Sequence, residues 1–110
     1  MKQLKVTENR RYLEYADGTP FFYLGDTAWE LFHRITKAET EYYLSVRASQ
    51  GFNAIQAVCL AEFDGIRIPN AYGRYPLKKN SSGEYDPTLP DTDGPYSYWE
   101  HVDYVVETAE

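Results

Sequence analysis

"FFYLGDTAWELFHRITKAETEYYLSVRASQGFNAIQAVCLAE", residues 21–62, carries the pattern on which the fold turns. It opens with a short apolar run over residues 21–25, as expected of a strand covered on both faces. Leu31, Phe32 and Ile35 then suggest a helical turn. Thr36 and Glu39 stand at capping-box spacing, so a helix is predicted over 37–50, with Gly51 as its C′ residue. Tyr42, Tyr43, Val46 and Gln50 recur at three-to-four spacing and mark its packing face. A second apolar run, Ala54 to Leu60, ends in Glu62 and Asp64. Strand, helix and strand, with each strand buried and polar at its end, predict a parallel βαβ unit.

Outward from this unit the patterns change. Leu4 and Val6 alternate with lysines, Tyr12 to Tyr15 follow, and Asp17-Gly18 is a hairpin turn signal, so the first twenty residues read as a small β unit. Residues 64–97 hold most of the Pro and Gly and no lasting periodicity, which predicts one long loop, a length usually functional or disordered. Ser97 and Glu100 form a second capping box that opens a helix running to the last residue. Two parallel strands need covering on both faces and partners on their open edges, so residues 19–110 read as the opening of a larger α/β protein.

Composition narrows the function. The 110 residues are 43% hydrophobic and 25% charged, a globular balance, and fit one domain by length. Aromatics reach 16%, with eleven Tyr, which suits surfaces that are apolar on one side and hydrogen-bonding on the other. A net charge of -6 argues against nucleic acid, which requires a basic patch, and the Arg10-Arg11 and Lys78-Lys79 pairs read as solvated surface. Cys59 is the single cysteine and lies in an apolar run, so it reads as a buried thiol. No signal-peptide pattern and no membrane-length apolar segment is visible, and a cytoplasmic location is expected.

In parallel α/β folds ligands bind outside the carboxyl ends of the strands. Asp26, Thr27, Trp29 and Glu30 end the first strand and Glu62 and Asp64 the second, so the two clusters are expected at one rim. Asp26 can bind ligand hydroxyls or cap the turn that follows it. Trp29 can stack on a sugar ring or fill core. Gln56, inside the second strand, needs partners across the interior or on a ligand. Glu62 is the best ligand-facing carboxylate, but one carboxylate is not a catalytic pair. His33, His101, Asp26 and Glu30 lack metal-ligand spacing, no phosphate loop or nucleophile elbow is present, and neither metal nor cofactor is expected.

The segments "PFFYLGDTAWELFHRIT", "YYLSVRASQGFNAIQAVCLAE", "PNAYGRYPL" and "YWEHVDYVV", in this order, resemble the start of the apiosidase-like bacterial glycoside hydrolases, glycoside hydrolase family 140. The resemblance implies a (β/α)8 barrel of the TIM type, preceded by a β hairpin over residues 1–18. Strand one would cover 21–26, helix one 37–50, strand two 53–60, and helix two would start at 98. It further implies action on plant cell-wall polysaccharide side chains such as the apiose linkages of pectin. In such barrels the catalytic carboxylates come from later strands, so no residue here inherits a catalytic role. What carries over is substrate-binding surface: Asp26, Trp29, Glu62, Asn70 and Tyr72. The carbohydrate is the expected partner. The competing expectations are a non-catalytic carbohydrate-binding or interaction module and a metal-dependent hydrolase.

Overall fold

The computed structural model describes residues 2–110. Three strands open the chain: β1 (Leu4–Val6), β2 (Leu13–Tyr15) and β3 (Pro20–Phe21), antiparallel in that spatial order. The expected hairpin is therefore a three-stranded sheet. Asp17-Gly18 forms the tight turn between β2 and β3: Gly18 takes φ +87°, the Asp17 carboxylate accepts from the Thr19 N–H, and Phe21 returns to lie opposite Leu13. The Phe21 ring meets Tyr15 edge-on at 5.4 Å. Pro20, without an N–H, is tolerated in this short edge strand.

That turn takes Phe21 away from the parallel strand expected at residues 21–26. The parallel strand β4 covers only Gly25–Thr27, and Phe22 is 79% exposed, so the apolar run between the two sheets is not covered on both faces. β4 pairs in parallel with β5 (Ala54–Gln56), Asp26 opposite Ile55 and Thr27 opposite Gln56. Asn53 ties the approach to this pair: its amide donates to the Phe22 carbonyl at 2.6 Å and accepts from the Leu24 N–H at 2.8 Å. β5 is shorter than the expected 53–60. After Gln56, whose carbonyl accepts from Ala28, the chain follows the turn that leaves β4 instead, with Val58 donating to the Trp29 carbonyl.

The crossover between β4 and β5 consists of α1 (Leu31–Arg34) and α2 (Lys37–Ser49). Thr36 and Glu39 make the reciprocal capping box, and Gly51 takes φ +88° just past the helix. The packing face differs from the expected one. Thr40 and Leu44 are buried, Tyr43 and Arg47 lean over β4, and Tyr42 points to solvent. α3 (Tyr98–Ala109) begins at the Ser97–Glu100 capping box and packs on α2. The core is small: Leu31, Leu44, Ala61, Leu77, Tyr98 and Val105.

Residues 64–97 are not one irregular loop. They contain an antiparallel hairpin of β6 (Leu77–Lys79) and β7 (Tyr85–Pro90). Its turn is closed by the Asn80 side chain, which accepts from Ser82 and Glu84, and by Gly83 at φ +81°. The hairpin and the N-terminal sheet stretch the molecule, and the radius of gyration of 16.7 Å exceeds the ~13 Å of a compact chain this long. No helix among the described residues is long and apolar enough to cross a membrane.

Candidate functional site

The carboxyl ends of β4 and β5 and the N-terminus of α2 meet at one rim, because a helix crossing between parallel strands must start where the first strand ends. A groove of about 450 Å³ opens there between α1 and α2. Ala28, Leu31, Ile35 and Tyr43 supply its apolar lining, and Glu30, Arg34 and Glu39 its charges. Trp29 lies on it with 42% of its surface exposed. Glu30 gives one carboxylate oxygen, Oε2, to the Arg34 Nε, while Oε1 is buried without a protein partner. The arrangement offers an exposed indole on a groove edged by charged side chains, which suits a polyhydroxylated ligand.

Asp26 is turned toward α2. Its Oδ2 accepts from the Tyr43 hydroxyl at 2.6 Å and from the Arg47 Nε, so β4 is tied to the helix that covers it. The Tyr43 hydrogen bond and then Arg47 hold the Asp26 carboxyl below its usual range. Burial, then the hydrogen bond to Asp26, pushes the Tyr43 phenol up. Gln56 is exposed beside Thr27 on the opposite face of the pair.

Asn70 is 5% exposed, and its Oδ1 accepts from the N–H groups of Tyr72 and Arg74, both at 3.0 Å, holding the turn around Gly73. Its Nδ2 is buried without a partner. Ala71 donates to the His33 carbonyl, which fixes this turn against α1. The Tyr72 hydroxyl accepts from the Lys37 N–H at 2.8 Å and so caps the first turn of α2. Glu62 stands exposed in a turn after β5, and among the described residues no hydrogen bond or ion pair joins its carboxylate to the rim groove. The structure thus brings Asn70 and Tyr72 together in one turn and joins Asp26 to the Trp29 groove through Tyr43, which lines it; Glu62 does not line that groove.

Both histidines are buried, His33 at 5% and His101 at 0% exposure. His101 Nδ1 lies 2.8 Å from the Tyr96 hydroxyl, and Tyr72 packs at 4.8 Å from Tyr96 and 5.1 Å from His101. The Lys37 ammonium sits 4.0 Å over the Tyr96 ring and 4.7 Å over Tyr104, whose hydroxyl donates to Glu41. Burial foremost pushes the Tyr96 phenol up to about 12. Spacing gives no signal for this cluster, because its members lie in the long excursion, α2 and α3. Among the described residues no group of three His, Cys, Asp or Glu could hold a metal ion.

Burial is also the main cause that lowers both histidines below 6.5, opposed by Glu30 at His33 and by the Ile35 carbonyl at His101. Their unfolded forms protonate near 6.5 while the folded forms resist, so stability is fully present above that value and falls as pH drops below it. The urea midpoint should therefore fall between pH 7.5 and 5.5, and His101→Gln should flatten the slope. A midpoint that is level or rises toward pH 5.5 rejects this account.

The Apiosidase-like, catalytic domain family matches residues 7–110, and the chain belongs to that family. It is similar to a solved glycoside hydrolase family 5 protein from Bacteroides vulgatus, with 34% identity and a TM-score of 0.77 over 96% of this chain and 22% of that one. A second solved structure, described as a glycoside hydrolase, is 37% identical with a TM-score of 0.77, over 98% of this chain and 23% of its own length. The chain thus spans less than a quarter of the length of these structures. No curated protein matches it.

Proposed function

We propose that this chain is the opening part of a (β/α)8-barrel glycoside hydrolase that acts on plant cell-wall polysaccharide side chains, as an apiosidase-like enzyme. The observation that carries the proposal is the family match over residues 7–110, joined to a parallel β4–β5 pair with its groove at the carboxyl rim. Residues 19–110 are the first two βα units and the N-terminal sheet precedes them. Trp29 and Glu62 meet the carbohydrate. Asp26, Asn70 and Tyr72 act on it through the rim they hold in place, since the hydrogen bonds they make within the protein fix β4, the Gly73 turn and the start of α2.

The two carboxylates that glycoside hydrolysis needs, one as acid and the other as nucleophile or base, lie beyond residue 110 in this reading. The test is to incubate the protein encoded by the complete gene with an apiose-bearing pectic oligosaccharide and to assay free apiose. Release of apiose supports the proposal. Binding of the oligosaccharide with no release of any sugar replaces it with a non-catalytic carbohydrate-binding module.

A further inference from the structure

A second groove, of about 650 Å³, lies on the β6–β7 hairpin, away from the Trp29 rim, and its volume is that of a small-ligand site. Tyr75 and Tyr85 form one wall, stacked at 5.9 Å with their planes 23° apart. Neither phenol hydroxyl has a protein hydrogen-bond partner among the described residues, so both remain available. The strand register places Lys79 directly opposite Tyr85, and its ammonium sits 5.0 Å over that ring with no carboxylate paired to it among the described residues. Across the groove the Lys78 ammonium is neutralised by Asp93 at 2.7 Å. Arg74 donates to the Pro95 carbonyl and packs against Gly94, and its charge acts on the Glu100 carboxylate in α3.

The lining therefore contains three basic and two acidic side chains in a chain whose net charge is -6. The Trp29 groove has the opposite balance, one basic and two acidic. The Lys78-Lys79 pair, which reads in the sequence as solvated surface, is thus half tied down and half held over an aromatic ring. An aromatic wall, free hydroxyls and an ammonium without an ion pair, on a strand whose register shifts between Leu77 and Lys79, match a sugar ring that carries a carboxylate: its apolar face covers the tyrosine edges and its charge pairs with Lys79.

We propose that this hairpin groove binds an acidic glycan through a carboxylated sugar residue, at a place separate from the Trp29 rim. The proposal rests on the carbohydrate reading above, and its test separates the two. Titration calorimetry on the protein encoded by the complete gene uses trigalacturonate and its methyl ester, which has the same shape without the charge. The acid should bind about tenfold more tightly than the ester, and Lys79→Met should remove that preference. Lys79 is exposed and makes no ion pair, so the variant keeps the fold. Tyr75→Ala should weaken both probes, because it removes the shared stacking surface. Equal affinity for acid and ester, no binding of either, or a Lys79→Met preference equal to that of the parent protein overturns the proposal. Release of apiose without trigalacturonate binding sinks this groove and leaves the glycosidase reading standing; trigalacturonate binding with no apiose released from the apiose-bearing oligosaccharide does the reverse.

Discussion

Tyr98→Ala will lower the unfolding free energy by about 3–5 kcal/mol, a large share of the roughly 5–15 kcal/mol that holds a typical domain together. Tyr98 is fully buried at the first position of α3. Its ring lies 6.3 Å from His33 in α1 and 5.6 Å from Trp99, and its hydroxyl donates to the Cys59 carbonyl at 2.6 Å. One side chain therefore joins α3 to α1 and to the segment that leaves β5. Truncation removes the ring from a core with few other large members, leaves a cavity, and takes the hydroxyl donor from the half-buried Cys59 carbonyl. Tyr98→Phe separates these effects: it keeps the ring and loses only the hydrogen bond, so it should cost about 1–3 kcal/mol. Urea unfolding followed by tryptophan fluorescence measures both. Equal losses in the two variants would show that the hydroxyl and not the ring carries the effect, and no loss in either would remove Tyr98 from the core.

The contribution of Tyr98 was partly legible in the sequence, because the capping box at Ser97 and Glu100 predicts where α3 begins. Local grammar of this kind was reliable throughout: both capping boxes, Gly51 and the Asp17-Gly18 turn all appear where their spacing places them. What failed was inference from apolarity to burial. Residues 21–25 read as a strand covered on both faces, yet Phe22 faces solvent, because hydrophobicity shows what a segment would bury and not whether this chain supplies the cover. The β6–β7 hairpin was hidden for another reason. Pro87 and Pro90 count against a strand, and only the two-stranded, edge character of that sheet makes them tolerable.

The candidate site was legible to the same depth. Its position followed from the parallel βαβ pattern, since a strand end and a helix start must meet there. The partners of its residues did not. Asp26 and Arg47 are 21 positions apart, and their ion pair exists only because the crossover folds α2 back over β4. Likewise Tyr72 finds the N-terminus of α2 across 35 positions. Asp26, a ligand candidate from its place at a strand end, and Tyr72, one implied by the family resemblance, both hold elements together.

Trp29→Ala, made in the protein encoded by the complete gene, should raise KM for the glycoside about tenfold, some 1.4 kcal/mol of lost stacking, while kcat stays close to the parent value. The side chain is 42% exposed on the rim groove, so its removal opens no closed core cavity and costs little stability. The backbone role of the residue survives, because the Trp29 carbonyl accepts from Val58 whatever the side chain. Loss of a flat surface that touches substrate equally in the ground and transition states lowers affinity alone, whereas loss of a group that acts on the reacting bond lowers kcat. Trp29→Phe, which keeps a smaller platform, should fall between the parent and the alanine variant in KM. A collapse of kcat at constant KM would place Trp29 beside the reacting atoms. A large drop in unfolding midpoint with unchanged kinetics would make it a packing residue, and the sugar would then have to be bound elsewhere on the rim.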